Sequence, residues 1–96
     1  MAEDDAQRNG RPVRGGRAVK LAREQLADLT GRDVEGVLEL EPLEEGGWKV
    51  SLEVVELRRV PDSTDVLGVY DVELDEDGEL MGYWRRRRYY RAQVET

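Results

Sequence analysis

The chain has 96 residues, a formal charge of −7, and no cysteine, histidine or phenylalanine. That length holds one small domain, able to bury roughly 60–65% of its unfolded surface. The missing residue types exclude disulfides, thiol nucleophiles, Cys- or His-based zinc sites and any imidazole general base, so no enzyme, no metal and no cofactor is expected.

Residues 1–16 (MAEDDAQRNGRPVRGG) are polar and end in glycine and proline, which predicts a flexible basic arm without an apolar signal core. Residues 17–30 place Ala18, Leu21, Ala22, Leu26 and Leu29 at spacings of three and four, which predicts one amphipathic helix. Gly15-Gly16 break the chain before it, and Gly31 is the expected left-handed C-cap. Residues 33–42 alternate as a half-buried strand, with Val34, Leu38 and Leu40 inward and Glu35, Glu39 and Glu41 outward. Pro42 ends the ladder, and Glu44-Glu45-Gly46-Gly47 makes a hairpin turn.

Residues 48–60 form the second strand. Its alternation slips where Val55 and Leu57 are both apolar, which predicts a bulge near Val54-Val55. Residues 61–65 (PDSTD) are a turn-rich connector. Residues 66–75 are the third strand, and Glu76-Asp77-Gly78 closes a second hairpin with glycine at the third loop position. That loop sets Leu74 opposite Leu80, Val72 opposite Gly82 and Tyr70 opposite Trp84, with Asp71 meeting Tyr83 and Glu73 meeting Met81 on the other face. Residues 79–92 are the fourth strand, long and arginine-rich. Its alternation points Arg86 and Arg88 toward the core, which would be costly for unpaired guanidinium groups, so an overrun or a bulge is expected beyond Trp84. Residues 93–96 are a tail. The sum is an α+β domain over 17–92, one helix packed on a four-stranded antiparallel meander. No run of about 18 apolar residues exists, so no membrane span is expected and the default location is cytoplasmic.

The net charge hides a segregation. Six basic residues and no acid lie between Arg8 and Arg23; sixteen acids against three bases lie between Asp33 and Glu79; five arginines and no acid lie between Tyr83 and Arg91. Either the basic ends fold back on the acidic middle, or faces of opposite sign are offered to partners. The run from Trp84 to Arg91 suits the second reading, because arginine grips carboxylates or phosphates with a forked set of donors and stacks on rings. It also suits a charged edge strand that resists edge-to-edge pairing. Candidate partner-binding residues are Arg58, Arg59, Asp62 and Asp65 in the connector and Tyr83, Arg85, Arg87, Arg88, Tyr89 and Arg91 on the fourth strand. Arg58 and Arg59 are expected to pair with Asp62 and Asp65. The sequence pI of 4.6 argues against nucleic acid as the partner. Glu73, Asp75, Asp77 and Gly78 resemble the opening of a calcium loop, but the twelfth position is Trp84 where a bidentate glutamate is needed.

The run from Leu57 to Tyr70 (LRRVPDSTDVLGVY), the segment from Gly78 to Tyr83 and the Arg-Tyr-rich end at Arg87-Arg88-Tyr89 resemble the gas vesicle accessory protein GvpO family. Leu29-Thr30-Gly31-Arg32, Val34-Glu35-Gly36-Val37 and Gly47-Trp48 extend the resemblance over about residues 17–92. It implies a cytoplasmic accessory protein of gas vesicle formation, distinct from the hydrophobic shell subunit. That protein would act in assembly or its regulation by contact with shell or other accessory proteins. It implies no catalytic residues. The alternative is a nucleic-acid-binding regulator that uses the basic arm and the arginine strand. A homodimer through an exposed sheet edge stays open.

Overall fold

The computed structural model describes residues 12–92. Most of the expected arm (1–11) and the whole tail (93–96) lie outside the described residues. One helix, α1 (Gly15–Thr30), precedes the strands β1 (Asp33–Pro42), β2 (Trp48–Leu57), β3 (Val66–Leu74) and β4 (Leu80–Tyr90). The strands form one antiparallel sheet in the order β1-β2-β3-β4, with a short 3-10 turn at Asp62–Thr64. This is the α+β meander expected from the sequence.

Helix α1 starts two residues earlier than its periodicity suggests, so Gly15-Gly16 form its first turn instead of a breaker. Gly15 lies close to the Leu40 and Trp48 side chains, where a bulkier residue would crowd them. The segment before it is anchored: the Val13 side chain is buried, its N–H donates to the Glu76 carbonyl at 2.9 Å, and Trp48 Nε1 donates to the Val13 carbonyl at 2.8 Å. Ala18, Ala22 and Leu26, four apart, form the buried stripe of the helix, and Leu29 of the predicted face is exposed. The helix ends as expected at Gly31, whose φ of 69° is left-handed and whose N–H donates to the Ala27 carbonyl. That stripe meets Val50, Leu52 and Val54 of β2 and Tyr70, Val72 and Leu74 of β3, which alternate along their strands and make the core.

Gln25 fixes the helix against the second hairpin. Its Nε2 donates to the Gly78 carbonyl at 2.9 Å and its Oε1 accepts from the Leu80 N–H at 3.0 Å. The hairpin itself is the expected three-residue loop with Gly78 at positive φ, and Asp75 Oδ1 accepts the N–H groups of Asp77 and Glu79. Gly46 and Gly47 in the first hairpin also take positive φ, and any Cβ at Gly47 would overlap the Leu74 carbonyl.

Bulges change the expected register. β1 is irregular at Glu35 and at Leu38, and β2 carries its extra residue at Glu56, beyond the predicted Val54-Val55. β4 carries two, at Met81 and Arg86. Leu80 does oppose Leu74, but the bulge at Met81 moves every later pair by one: Val72 faces Tyr83, Asp71 faces Trp84, Tyr70 faces Arg85 and Glu73 faces Gly82. β4 does not overrun the sheet; it stays paired to Tyr90, which faces Val66.

Candidate functional site

Strand β4 lies at one edge of the sheet and divides its side chains between two faces. Residues opposite Val66, Gly68, Tyr70 and Val72 share the helix side: Tyr90, Arg88, Arg85 and Tyr83. Residues opposite Leu67, Val69 and Asp71 share the other side: Tyr89, Arg87 and Trp84. In a regular strand Arg85 and Arg88, three apart, would point to opposite faces. The bulge at Arg86 brings them to the same one.

On the far side no described helix or sheet covers the strands, yet Ser51, Val55, Leu67, Val69 and Asp71 are all buried there. Long side chains laid across the sheet supply the cover. β1 and β4 are about 14 Å apart in a flat four-stranded sheet, and arginines on one edge reach glutamates on the other. Arg86 Nη2 donates to Asp71 Oδ1 at 3.0 Å, Ser51 Oγ at 2.9 Å and Glu39 Oε1 at 3.1 Å. Ser51 Oγ donates to Asp71 Oδ1 at 2.6 Å. Arg91, just past β4, grips Glu35 with both Nη atoms at 3.0 and 2.9 Å and also reaches Asp65 at 2.9 Å. The Tyr89 hydroxyl bonds Glu53, and Arg87 stacks on the Tyr89 ring, 4.8 Å from its centre. Hydrogen bonds, first of all to Asp71, push the Arg86 pKa up, and those to Glu35 and Asp65 push Arg91 up strongly. The Arg91 bond holds the Glu35 carboxyl below its ordinary value.

The connector is tied to this network. Asp65 is 1% exposed; it accepts the Arg59 N–H at 2.7 Å and the Arg91 guanidinium, which together hold its carboxyl below the usual range against the effect of burial. The Arg91 N–H closes the junction on the Asp65 carbonyl at 2.9 Å. Of the ten candidate contact residues, Asp65, Tyr89 and Arg91 are thus bound up in holding the fold. The expected pairing within the loop is also different: Arg58 pairs with Asp33 at 2.7 Å, both exposed, and Arg59 uses its backbone, not its side chain, on Asp65. Arg59 and Asp62 lie exposed, with Asp62 at the start of the 3-10 turn.

On the helix side, beyond the end of α1, a carboxylate that the sequence did not single out organises the surface. The Glu56 side chain, at the β2 bulge, is 3% exposed. It accepts from the Tyr70 hydroxyl at 2.9 Å and lies 3.4 Å from Arg85 Nε, 3.3 Å from Arg88 Nε and 3.8 Å from Arg32 Nη1. Arg32 Nη1 also donates to the Tyr70 oxygen at 3.1 Å. Burial, and then the bond to Glu56, push the Tyr70 hydroxyl pKa up. Gly68 makes the arrangement geometrically feasible, since a Cβ there would overlap the Glu56 carboxylate. Tyr83 stands beside Tyr70, ring centres 6.2 Å apart. Past Arg88 the surface opens into a pocket of about 450 Å3 lined by Leu57, Arg59, Val66, Arg88, Tyr89 and Tyr90. Among the described residues no group of three or more His, Cys, Asp or Glu could hold a metal ion, and no helix is long and apolar enough to cross a membrane.

The nearest sequence signal for Glu56 was the broken alternation at Val54–Leu57. Nothing local marks Arg32, Gln25 or Gly68, whose partners lie far along the chain.

The family model described as gas vesicle synthesis protein GvpO matches residues 1–95. The protein named gas vesicle protein O of a Streptomyces strain is 50% identical over 76 residues, 79% of this chain and 59% of that protein. Gas vesicle protein O1 of Halobacterium salinarum is 40% identical over 73 residues, 76% of this chain and 60% of its own length. Gas vesicle protein O of Haloferax mediterranei is 36% identical over 73 residues, 76% of this chain and 52% of that protein. The matched regions therefore span between 52% and 60% of these curated relatives. No solved structure matches. With a family model covering nearly its whole length, the chain belongs to the gas vesicle synthesis protein GvpO family.

Proposed function

We propose that the chain is a cytoplasmic, non-enzymatic accessory protein of gas vesicle formation that acts by binding other gas vesicle proteins. The contact surface is the helix-side edge of β4 with the neighbouring connector, using Tyr83, Arg85, Arg88, Arg58 and Arg59, with Arg87 exposed on the reverse side. The observation that carries this reading is the division of the arginines. Arg86, itself 44% exposed, and Arg91 are hydrogen-bonded to carboxylates across the sheet; Arg85 and Arg88, beside Glu56, are 43% and 58% exposed on the helix-side edge, and Arg87 is exposed on the reverse side. Exposed arginine next to tyrosine is the composition of a protein contact. The family membership and the names of its relatives supply the process.

The test is a pull-down of the gas vesicle proteins encoded with it, using the chain and an Arg85→Ser/Arg87→Ser/Arg88→Ser variant. Capture by the first and its loss in the second is the expected result. Capture and vesicle formation unchanged in the variant would remove β4 as the contact surface.

A further inference from the structure

We propose that Arg32, Arg85 and Arg88, clamped by the buried Glu56, form a receptor for an acidic segment of a partner protein. This deepens the assembly reading above and rests on it for the identity of the partner.

Three guanidinium groups surround one carboxylate, so the cluster holds a local excess of two positive charges. Glu56 engages Arg85 and Arg88 through Nε, the inner nitrogen of each head. The two arginine side chains remain 43% and 58% exposed. A guanidinium held at Nε still presents its outer donors to a second carboxylate. Three features that serve no regular strand pairing converge here: the bulge that places Glu56, the bulge at Arg86 that brings Arg85 and Arg88 to one face, and Gly68, which leaves room for Glu56 between them. The arginines are therefore held in place before any ligand arrives, which lowers the ordering cost of binding.

Charge and shape point to an acidic protein segment. Tyr83 flanks the arginines on one side, and the pocket with Leu57, Val66 and Tyr90 flanks them on the other, so apolar or aromatic side chains between carboxylates find matching surface. β4 is an edge strand, beside which an extended segment can lie. A net charge of −7 disfavours a long polyanion such as nucleic acid, whose binding draws on many cationic contacts.

The probe is a fluorescently labelled peptide alternating glutamate with leucine. Its glutamine counterpart and a labelled thymidine oligonucleotide serve as comparisons, all titrated into the full chain at about 50 mM salt. The glutamate peptide is expected to bind and the glutamine peptide not. Arg85→Ser/Arg88→Ser/Glu56→Gln removes the arginine heads together with the carboxylate they neutralise, so no buried charge is stranded. It should weaken glutamate-peptide binding by about tenfold or more. Arg87→Ser carries a comparable loss of surface charge away from Glu56 and should change it by less than about twofold. Absence of binding, equal binding by the triple variant, or preference for the oligonucleotide overturns the receptor. The pull-down separates the two claims. Capture lost in Arg87→Ser but kept in the triple variant leaves the assembly reading standing and removes this site. Peptide binding that depends on the triad, with no gas vesicle protein captured, keeps the receptor and removes the assembly reading.

Discussion

The two faces of the sheet are finished by different physics. On one, α1 lays Ala18, Ala22 and Leu26 over Val50, Leu52, Val72 and Leu74, and the stabilisation comes from apolar surface removed from water. On the other, side chains from the two edges meet over the central strands, and Ser51 and Asp71 are buried beneath them. Burial on the second face requires each polar group to find its partner, because an unmatched buried charge is very costly. The difference shows what an arginine-rich strand can do in a chain this small. It substitutes for a second layer on one side and leaves donors available on the other.

The largest expected effect lies on the apolar side. Leu26→Ala should cost about 2–5 kcal/mol of unfolding free energy in urea titrations, because it empties the centre of the helix stripe. A smaller loss would mean that α1 is peripheral to the core. Next comes Gln25→Ala, which removes both bonds between the helix and the second hairpin. It should cost about 1–3 kcal/mol by the same measurement, at about 0.5–1.5 per bond.

The face without a helix should respond to acid through Glu35 and Asp65. Glu35 and Asp65 both have lowered carboxyl pKa values, through Arg91 and, for Asp65, first through the Arg59 N–H. A lowered carboxyl contributes stability above its unfolded value, about 3.9–4.3, and loses it as pH falls through its folded value. Stability should therefore fall as pH drops below about 4, and Arg91→Met should flatten that fall while lowering stability at pH 7. A parallel pH profile in the variant would detach Arg91 from the effect. The smallest change is expected from Arg58→Ser. Its bond to Asp33 raises the Arg58 pKa, but the pair is exposed on both sides, so the unfolding midpoint should stay within measurement error.

What the sequence revealed was local. The helix periodicity, the Gly31 cap, the loop at Glu76–Gly78 and the meander order are each written in a short stretch, where spacing and glycine placement carry the information. The register beyond Met81 was not legible, because the bulge there costs one residue of phase and nothing at Met81 announces it, whereas the bulge at Arg86 falls where the alternation of arginines predicted an overrun or a bulge. The ion pairs were hidden for another reason. Arg91 and Glu35 are 56 positions apart, and Arg86 and Glu39 are 47 apart, so only the folded sheet brings them together. The charge segregation visible along the chain thus resolves by face: Arg86 and Arg91 fold back onto Glu39, Asp71, Glu35 and Asp65 on one side, Arg85 and Arg88 onto Glu56 on the other, and Arg87 stacks on Tyr89.

One series tests that division most directly: urea unfolding midpoints of Arg85→Ser, Arg86→Ser, Arg87→Ser and Arg88→Ser measured side by side. The account predicts the lowest midpoint for Arg86→Ser, because Asp71 and Ser51 lose their shared partner, and the midpoint closest to the unsubstituted chain for Arg87→Ser, which stacks on Tyr89. Arg85→Ser and Arg88→Ser should fall between them, since each leaves the other arginine on Glu56. Four equal midpoints, or an Arg87→Ser midpoint as low as that of Arg86→Ser, would contradict it.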